Sequence, residues 1–473
     1  MNMMLFAPET FLLIGSLVLF LLSTGKVAGS TVRTLTICMA LGNLLLCGAT
    51  LSQEGLLFYS AYKIDLFSQL LKLVIAVGFS VVLLINRELK GVDDGVRPEY
   101  YLFLTLSTLG LMMMVSSIEL LTLFIALELS SYSLYLLVPM RDDRGGIRAQ
   151  MESAIKYVLF GVAATGIMLF GMSYLFGLAG TTYMGELIPK LHTMMTNPAA
   201  LIAIAMVLGG FLFKLAVFPF HFWVPDVYQG ASNETTAFIA TVPKIGAVAM
   251  LIRIATLVTT EGQTIITLLS ALAICSMCYG NLVALVQTDV KRMLGFSGIA
   301  HAGYVLLGLV TLQEAGYATS LYYIIGYLLM NLAGFLVICK VSQHGENVAI
   351  DDLSGLHQRS PLMALTLAVS MFAMAGIPPF VGFMGKFMLL TGAYKAGHLP
   401  LVIVAAVNTA ISIYYYLSVV RVTYTASPEG RSAVAIDGTT RLLSLLLMAA
   451  IIALGIAPER IVQMATAAVQ GIL

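Results

Sequence analysis

The segment Gly209–Asp226, GGFLFKLAVFPFHFWVPD, places a lysine and a proline in an otherwise apolar run. A lysine at membrane depth is costly, and it is usually paired or functional. Pro219 has no amide proton and clashes with the carbonyl group of Leu215, so the helix is predicted to break there. Freed backbone groups are tolerated in a membrane only where protein or water satisfies them. The freed carbonyls carry partial negative charge, which favours a protonated Lys214 beside them.

The surrounding sequence has the composition of a membrane protein. Of 473 residues, 59% are hydrophobic and 10% are charged, against roughly 45–50% and about 25% in soluble domains. Apolar stretches of about 20 residues, enough to cross a bilayer, recur along the chain. The first stretch has no basic residue before Lys26 and carries Glu9, so it is predicted to be a retained span and not a signal peptide. We therefore predict an all-α integral membrane protein with one membrane domain.

Apolar runs between polar residues predict fourteen transmembrane helices. Their approximate extents are 5–24, 31–51, 64–86, 100–116, 118–139, 152–178, 199–222, 235–259, 264–286, 290–310, 316–340, 361–394, 400–423 and 441–457. The C-terminal segment APERIVQMATAAVQGIL is short and amphipathic, which predicts a helix along the membrane interface.

Basic residues orient the spans, because cytoplasmic loops carry an excess of Lys and Arg. With both termini on the outer, periplasmic side, fifteen basic residues fall inside and five outside. The inner ones are Lys26, Arg33, Arg87, Lys90, Arg97, Arg141, Arg144, Arg148, Lys291, Arg292, Lys340, Arg359, Arg421, Arg431 and Arg441. The outer ones are Lys63, Lys190, Arg253, Lys395 and Arg460.

The remaining five basic residues are lysines inside predicted spans: Lys72, Lys156, Lys214, Lys244 and Lys386. A desolvated lysine can lose its proton, whereas an arginine effectively cannot. Lys72 and Lys156 are near span ends, so snorkelling to the interface is as good an explanation as a relay role. Lys214, Lys244 and Lys386 lie deeper, and we predict that they are functional.

Three further titratable residues are candidates. Glu128 lies near the middle of the fifth predicted span, where a carboxylate needs a partner or a proton. His301, in FSGIAHAGYVLLG, could relay protons near neutral pH, and a packing histidine is an equal alternative. His221 stands at the predicted break, as a candidate for lining a water-filled entrance.

The lysine–proline pattern returns in the twelfth predicted span, where Gly376, Pro378 and Pro379 precede Lys386. Interrupted helices at corresponding places in two halves indicate an inverted-repeat transporter. Helices 4–8 and 9–13 would form two inverted five-helix repeats, with helices 7 and 12 broken. The predicted divisions are helices 1–3 (1–99), the first repeat (100–259), the second repeat (264–425), and helix 14 with the tail (426–473).

Cofactor chemistry has little support in the residues themselves. Cys275 and Cys278 have CxxC spacing but no second pair, and iron–sulfur clusters usually need four thiolates. The five cysteines are therefore predicted to be buried small apolar residues. No glycine-rich phosphate loop follows a strand, so no nucleotide site is predicted. We expect no metal and no cofactor on this chain.

Four motifs resemble the antiporter-like membrane subunits of respiratory complex I. They are FKLAVFPFHFWVPDVYQG, TAFIATVPKIGAVAMLIR, NLVALVQTDVKRMLGFSGIAHAGY and AGIPPFVGFMGKF. The similarity covers residues 60–425, and VPDVYQG with the later Pro-Lys pair separates the chain from the L and M relatives. One departure is GASNETTAF, where family members often have a proline-rich turn; Asn233 is the predicted N-cap there, beside Ser232 and Glu234.

The resemblance implies a proton-translocating module in each half. It maps the functional glutamate onto Glu128 and the functional lysines onto Lys214, Lys244 and Lys386. A Glu128–Lys214 pair would be separated by a signal from a neighbouring subunit, after which a proton would pass through Lys244 and His301 to Lys386. His221 and Lys156 are additional relay candidates.

The resemblance also implies the molecular setting. The partners would be other membrane-arm subunits, and the location would be the bacterial inner membrane. NADH, FMN, iron–sulfur clusters and quinone would be bound by other subunits.

Alternatives remain at this point. The chain could belong to a multi-subunit cation/proton antiporter, a membrane-bound hydrogenase or a deazaflavin-dependent dehydrogenase. A non-transporting scaffold gives no reason for lysines at mid-depth.

Overall fold

The computed structural model describes residues 3–25, 27–85, 89–142, 149–259, 262–428 and 430–472. In these residues the chain is nearly all helical, with one two-stranded hairpin. Four basic residues that were assigned to the inner side lie outside the described residues: Lys26, Arg87, Arg144 and Arg148.

The helices follow one another along the whole described chain. They are α1 (Ala7–Ser23), α2 (Gly29–Ala49), α3 (Leu66–Ile85), α4 (Arg97–Ser116), α5 (Leu120–Leu137), α6 (Ala149–Ala179), α7 (Met184–His192), α8 (Pro198–Leu215), α9 (Trp223–Gly230), α10 (Asn233–Ile239), α11 (Val242–Ala255), α12 (Gln263–Ala284), α13 (Val290–Val310), α14 (Glu314–Val341), α15 (Leu356–Arg359), α16 (Pro361–Ala375), α17 (Val381–Lys395), α18 (Leu399–Thr425), α19 (Gly438–Ile456) and α20 (Glu459–Gln470). The strands are β1 (Gly55–Leu57) and β2 (Tyr62–Ile64), which pair antiparallel.

Thirteen stretches of the described helices are long and apolar enough to cross a membrane. They coincide with thirteen of the predicted spans, apart from shifts at their ends and the breaks. The predicted twelfth span is not among them, because it is divided into α16 and α17. The chain is therefore built as a multi-pass membrane protein.

Proline positions account for the interrupted helices. α8 ends at Leu215, four residues before Pro219, as predicted from the clash between the proline ring and that carbonyl. A further break separates α10 from α11, and it was not predicted. Its cause is the same, because α10 ends at Ile239, four residues before Pro243.

Short elements outside the spans complete the chain. The β1–β2 hairpin and the amphipathic helix α7 were not predicted, whereas the C-terminal amphipathic helix is present as α20. α20 packs on α14, and Gln470 Nε2 donates to Glu314 Oε1 at 2.7 Å. Lys63 Nζ donates to the carbonyl oxygen of Gly471 at 2.8 Å, which ties the tail to the hairpin.

The N-cap of α10 differs from the prediction. The Ser232 hydroxyl, and not the Asn233 side chain, accepts the hydrogen bond from the amide of Thr235, at 3.1 Å. Asn233 begins the helix and its amide group donates to the carbonyl oxygen of Glu346 at 3.0 Å. Serine is as good a cap as asparagine, and the loop after α14 gives Asn233 a different partner.

Three helices form the centre of the molecule. Every residue of α11 is buried, as is every residue of α13 except Arg292, and most of α14 is buried as well. α1, α2, α6 and α18 expose more of their surface, as helices on the outside of a membrane bundle do. Polar side chains on α11, α13 and α14 must therefore find partners within the protein.

Close backbone packing holds the break between α16 and α17 in place. A Cβ atom added at Gly455, in α19, would overlap the carbonyl oxygen of Pro379. We expect Gly455→Ala to lower the stability of the protein by about 1–3 kcal/mol, as overpacking does. The midpoint of thermal unfolding in detergent measures the change.

Gly392→Ala in α17 is the matched control. Among the described residues, nothing lies within 4 Å of a Cβ atom at Gly392. Alanine is the better helix former by about 1 kcal/mol, so this variant should be as stable as the parent or more so. Equal unfolding midpoints for the two variants would contradict the close packing at Gly455.

Candidate functional site

The first break is a defined turn between α8 and α9. Ala216 ends α8 in the left-handed conformation with φ of 72°. The amide of Val217 donates to the carbonyl oxygen of Leu212 at 2.9 Å, which closes the end of the helix. The Phe218–Pro219 peptide that follows is cis.

The second break repeats this arrangement between α16 and α17. Gly376 ends α16 with φ of 86°, a conformation that glycine adopts without a steric penalty. The amide of Ile377 donates to the carbonyl oxygen of Phe372 at 3.0 Å, and the Pro378–Pro379 peptide is cis. The two interrupted helices therefore share one local geometry.

Lys214 is buried at the end of α8 and contacts α5. Its ammonium group donates to the hydroxyl oxygens of Ser130 and Ser131, each at 3.1 Å. Ser130 is in turn 3.1 Å from the hydroxyl of Ser107 in α4. Three hydroxyl groups from two helices thus surround the first candidate lysine.

Glu128 lies one turn before Ser131 on the same helix. Its carboxylate is close enough to Lys214 for the two charges to interact. The predicted direct pair is not formed at Oε1, because that oxygen is buried without a hydrogen-bond partner. Serine hydroxyls hold the Lys214 ammonium beside Glu128 instead.

Lys244 lies in α11 at the centre of the bundle, with only 1% of its surface exposed. Its ammonium group donates to the Tyr327 hydroxyl at 3.1 Å and approaches the carbonyl oxygen of Gly298 at 3.4 Å. The ammonium also lies 5.0 Å from the centroid of the Tyr327 ring. No hydrogen bond among the described residues joins this cluster to that of Lys214.

His301, in α13, lies between the second and third candidate lysines. Its Nδ1 is 2.6 Å from the Tyr323 hydroxyl, and its Nε2 is 3.0 Å from the Tyr416 hydroxyl. Both Lys244 and Lys386 are close enough to act on it electrostatically. Both ring nitrogens are engaged by groups that can donate or accept a proton.

Lys386, in α17, folds back onto the end of α16. Its ammonium group donates to the carbonyl oxygens of Met374 at 2.9 Å and Ala375 at 3.3 Å. It also lies 4.9 Å from the centroid of the Tyr304 ring. The freed carbonyl end of a half-helix carries partial negative charge, and here a lysine occupies it.

At the first break Lys214 lies in the last turn of α8, as expected, but no hydrogen bond among the described residues joins it to a freed carbonyl. The indole Nε1 of Trp223 donates to the carbonyl oxygen of Phe213 at 3.0 Å. That carbonyl is therefore satisfied from α9, and the Lys214 side chain is directed to α5. A lysine ammonium therefore binds the freed carbonyl oxygens at the α16–α17 break. At the α8–α9 break an indole group binds one instead.

The remaining candidates are apart from this group. His221 is buried, with its ring 4.5 Å from the ring of Tyr279, and neither ring nitrogen has a partner in the described structure. Its side chain is closed off from the surface of the protein. Lys156 is partly exposed and pairs with Glu152 at 2.8 Å and with Asp226 at 2.7 Å.

Two other lysines are more deeply buried than their positions in the sequence indicate. Lys72 does not snorkel, because its side chain is fully buried against Glu9. Lys291, which was assigned to an inner loop, is also fully buried, and its ammonium donates to the carbonyl oxygen of Ala231 at 2.8 Å. Distance from a span end does not show which neighbouring helix covers a side chain.

The tyrosines and serines of the site were missed. The available signals were ELSSYS, where two serines follow Glu128 by two and three residues, and SLYYIIGY, where Tyr323 and Tyr327 are one turn apart. Hydroxyl groups in apolar helices are the sequence feature that indicates partners for the buried lysines and for His301.

The part of the chain that the structure describes contains no candidate metal site. No group of three or more His, Cys, Asp or Glu side chains there could hold a metal ion. All five cysteines are free, and the prediction that all are buried was wrong for Cys38 and Cys275, which are exposed. Cys278 is partly buried, so the CxxC pair lies at a helix surface.

Comparison with known proteins gives the chain its family. Residues 117–412 match the family described as NADH:quinone oxidoreductase/Mrp antiporter, transmembrane. NADH-quinone oxidoreductase subunit N 2 of Opitutus terrae is 53% identical over 454 residues, covering 96% of this chain and 95% of that protein. The protein of the same name from Syntrophobacter fumaroxidans is 41% identical and covers 100% of both chains.

A solved structure agrees with these relatives. A chain of respiratory complex I from Thermus thermophilus, with bound aureothin, is 30% identical and has a TM-score of 0.84, covering 96% of this chain and 98% of that one. The match extends over nearly the whole length of both chains. The chain therefore belongs to the NADH:quinone oxidoreductase/Mrp antiporter membrane family, within which it groups with subunit N of bacterial NADH-quinone oxidoreductase.

Proposed function

We propose that the chain is a proton-translocating subunit in the membrane arm of a bacterial NADH:quinone oxidoreductase. The observation that carries this proposal is a buried series of groups, Lys244–Tyr327 and Tyr323–His301–Tyr416. Lys386 is also close enough to act on His301 electrostatically. Ionisable groups are rare inside membranes and mark ion pathways. The names of the relatives supply the reaction that drives the transfer.

The first step concerns Glu128 and Lys214. A charged Glu128 stabilises the ammonium form of Lys214, because opposite charges nearby favour the charged form. A change at the neighbouring subunit that moves or neutralises Glu128 removes this support, and the serines remain as neutral partners. Lys214 then releases its proton toward Lys244. Water molecules carry the proton between these two clusters.

The later steps run through the hydroxyl groups. Lys244 passes the proton by way of Tyr327 to the neighbourhood of His301. His301 accepts at one nitrogen and releases at the other, with Tyr323 and Tyr416 holding its ring. Lys386 receives the proton and gives it to the outer side.

The free energy of a pKa change at one buried group is large enough to move one proton against the membrane potential. Moving one elementary charge against 100 mV costs about 2.3 kcal/mol. A change of about two units in the pKa of one group supplies roughly 2.7 kcal/mol. Rearrangement around one buried charge therefore suffices for one transfer.

The proposed architecture has fourteen spans, with α16 and α17 together forming the twelfth. Two inverted five-helix repeats cover 100–259 and 264–425, preceded by 1–99 and followed by 426–473. Both termini lie on the periplasmic side of the inner membrane. The shared geometry of the two breaks supports the repeat relation.

Redox cofactors are proposed to lie on other subunits, together with the NADH and quinone sites. The family description also includes cation antiporters, which is the alternative function. The central groups favour protons over metal cations, because ammonium and phenol groups do not form the cluster of oxygen ligands that a metal cation requires. A scaffold role leaves the buried lysines without an explanation.

The first test asks whether the broken pair α16–α17 crosses the membrane. A reporter fused after His344 should be cytoplasmic, and one fused after Gly397 should be periplasmic. The two positions bracket this single interrupted span, so the pair of fusions measures it alone. The same location for both would remove one crossing and the inverted repeat with it.

The second test concerns the carboxylate. Glu128→Ala should assemble but lower proton pumping by about tenfold or more, the effect of losing roughly 1.4 kcal/mol in one step. Glu128→Asp keeps the charge on a shorter side chain and should be milder. Pumping in sealed vesicles is compared with NADH oxidation by an artificial acceptor. Full pumping in the alanine variant would exclude Glu128 from the mechanism.

The third test asks whether Lys214 must release a proton or must only supply a positive charge. Lys214→Arg keeps a positive charge beside Glu128 but does not readily deprotonate. Lys214→Ala removes both properties. A translocating role predicts assembled complexes with low pumping in both variants. If arginine restores pumping, Lys214 supplies only a charge and the relay is excluded.

A further inference from the structure

The N-terminal helices enclose a buried ion pair on elements that carry none of the four candidate residues. Glu9 Oε1 lies 2.5 Å from Lys72 Nζ, and neither side chain has exposed surface. The Tyr62 hydroxyl donates to the same carboxylate oxygen at 2.6 Å. The Lys72 ammonium also lies 5.2 Å from the centroid of the Tyr62 ring. α1, β2 and α3 thus meet in one acid–base cluster.

Several oxygen atoms around this cluster have no protein partner. Glu9 Oε2, Asn43 Oδ1 and Gln69 Oε1 are buried without a hydrogen bond, and they come from α1, α2 and α3. A buried polar atom that stays unpaired costs about 1–3 kcal/mol. Bound water molecules, each with about three hydrogen bonds, are the ligands that such oxygens fit.

The unpaired oxygens belong to one neighbourhood. Asn43 and Tyr62 both reach Met112 of α4: the amide of Asn43 lies 3.5 Å from its sulfur, and the Tyr62 hydroxyl lies 3.4 Å from its carbonyl oxygen. Gln69 precedes Lys72 by one turn on α3. Asn43 of α2 and the Met112 carbonyl group of α4 therefore lie close to the cluster that Tyr62 forms with Glu9 and Lys72.

A second buried pair on the same helix end shows a different arrangement. Asp65, just before α3, pairs with Arg253 of α11 at 3.1 Å, with 7% and 5% of their side chains exposed. Both carboxylate oxygens of Asp65 accept hydrogen bonds from Arg253, and Oδ1 also accepts from the amide of Ser68 at 2.8 Å. This carboxylate is satisfied by protein groups alone, as a structural tie requires.

Stability does not account for the Glu9–Lys72 pair. Replacing a buried ion pair by apolar side chains of similar volume is often neutral or stabilising. α1 and α3 could therefore be joined without charge. An ionisable pair inside a membrane protein is more often part of an ion or proton pathway.

We propose that Glu9, Lys72 and Tyr62 form, together with bound water, a further proton-holding site outside the two repeats. The Lys72 ammonium transfers one proton to the Glu9 carboxylate, which gives a neutral amine and a carboxylic acid, and the reverse transfer restores the ion pair. The net charge of the pair is zero in both states, so no uncompensated charge is buried. The inference rests on proton translocation as the function of the chain.

α3 connects this site to the central helices. A Cβ atom added at Gly78, which lies less than two turns after Lys72, would be 2.8 Å from a methyl group of Val242. Val242 is in α11, two residues before Lys244. The helix that holds Lys72 therefore packs directly on the helix that holds Lys244. Proton transfer from Lys72 to Glu9 replaces two opposite charges by two neutral groups, and this change acts on the central lysine through that contact.

The test uses the whole complex in sealed vesicles. The double variant Glu9→Gln with Lys72→Met removes both titrating groups and leaves no unpaired charge, so it should assemble. Its proton pumping should fall by more than half, relative to NADH oxidation by an artificial acceptor. Glu9→Gln alone keeps an acceptor oxygen for Tyr62 and Lys72 but takes up no proton, and its pumping should fall in the same way.

The matched control is the double variant Asp65→Asn with Arg253→Gln. It neutralises a pair whose carboxylate is satisfied by protein groups, and it should leave pumping per assembled complex unchanged. Parental pumping in either assembled Glu9 variant would overturn the proposal and leave the pair as a structural tie. Lys214→Ala is measured in parallel: parental pumping there would overturn the proposed function, whereas low pumping there with normal Glu9 variants would overturn this site alone.

Discussion

A helix that is interrupted inside a membrane must find partners for the carbonyl groups that it releases, and the site is organised around this requirement. The end of α8 is satisfied by the Trp223 indole, which donates to the carbonyl oxygen of Phe213. The end of α16 is satisfied by the Lys386 ammonium. One break is therefore held by a group that keeps its proton, and the other by a group that can release it.

This difference links protonation to structure at the second break only. Hydrogen bonds from a charged donor are roughly twice as strong as those from a neutral donor. When Lys386 loses its proton, the carbonyl oxygens of Met374 and Ala375 are held less strongly, and the end of α16 is stabilised less. At the first break, loss of the Lys214 proton changes its contacts with Ser130 and Ser131 and its electrostatic interaction with Glu128, all on α5. These groups do not hold the turn at Ala216.

Local chemistry was predictable from the sequence, and long-range pairing was not. The clash of a proline with the fourth carbonyl before it identified the break at Leu215, and hydrophobic runs gave nearly all of the spans. The same clash at Pro243 was overlooked, because a proline is also compatible with the first turn of a helix. The partners of Lys72 and Lys214 lie on distant segments, and the sequence does not show that Glu9 contacts the first of these lysines and Ser130 the second. The roles of Glu128, Lys244 and Lys386 follow from family resemblance and remain predictions.

The arrangement around His301 limits how a proton can pass it. In neutral imidazole one ring nitrogen donates and the other accepts, so Tyr323 and Tyr416 must take opposite roles. If a proton enters at one nitrogen and another leaves from the opposite one, the tautomer changes and both hydroxyl groups must rotate. The relay is then unavailable for a second proton until those hydroxyls return. Tyr323 belongs to α14 and Tyr416 to α18, so this reset depends on two helices that pack on opposite sides of the histidine.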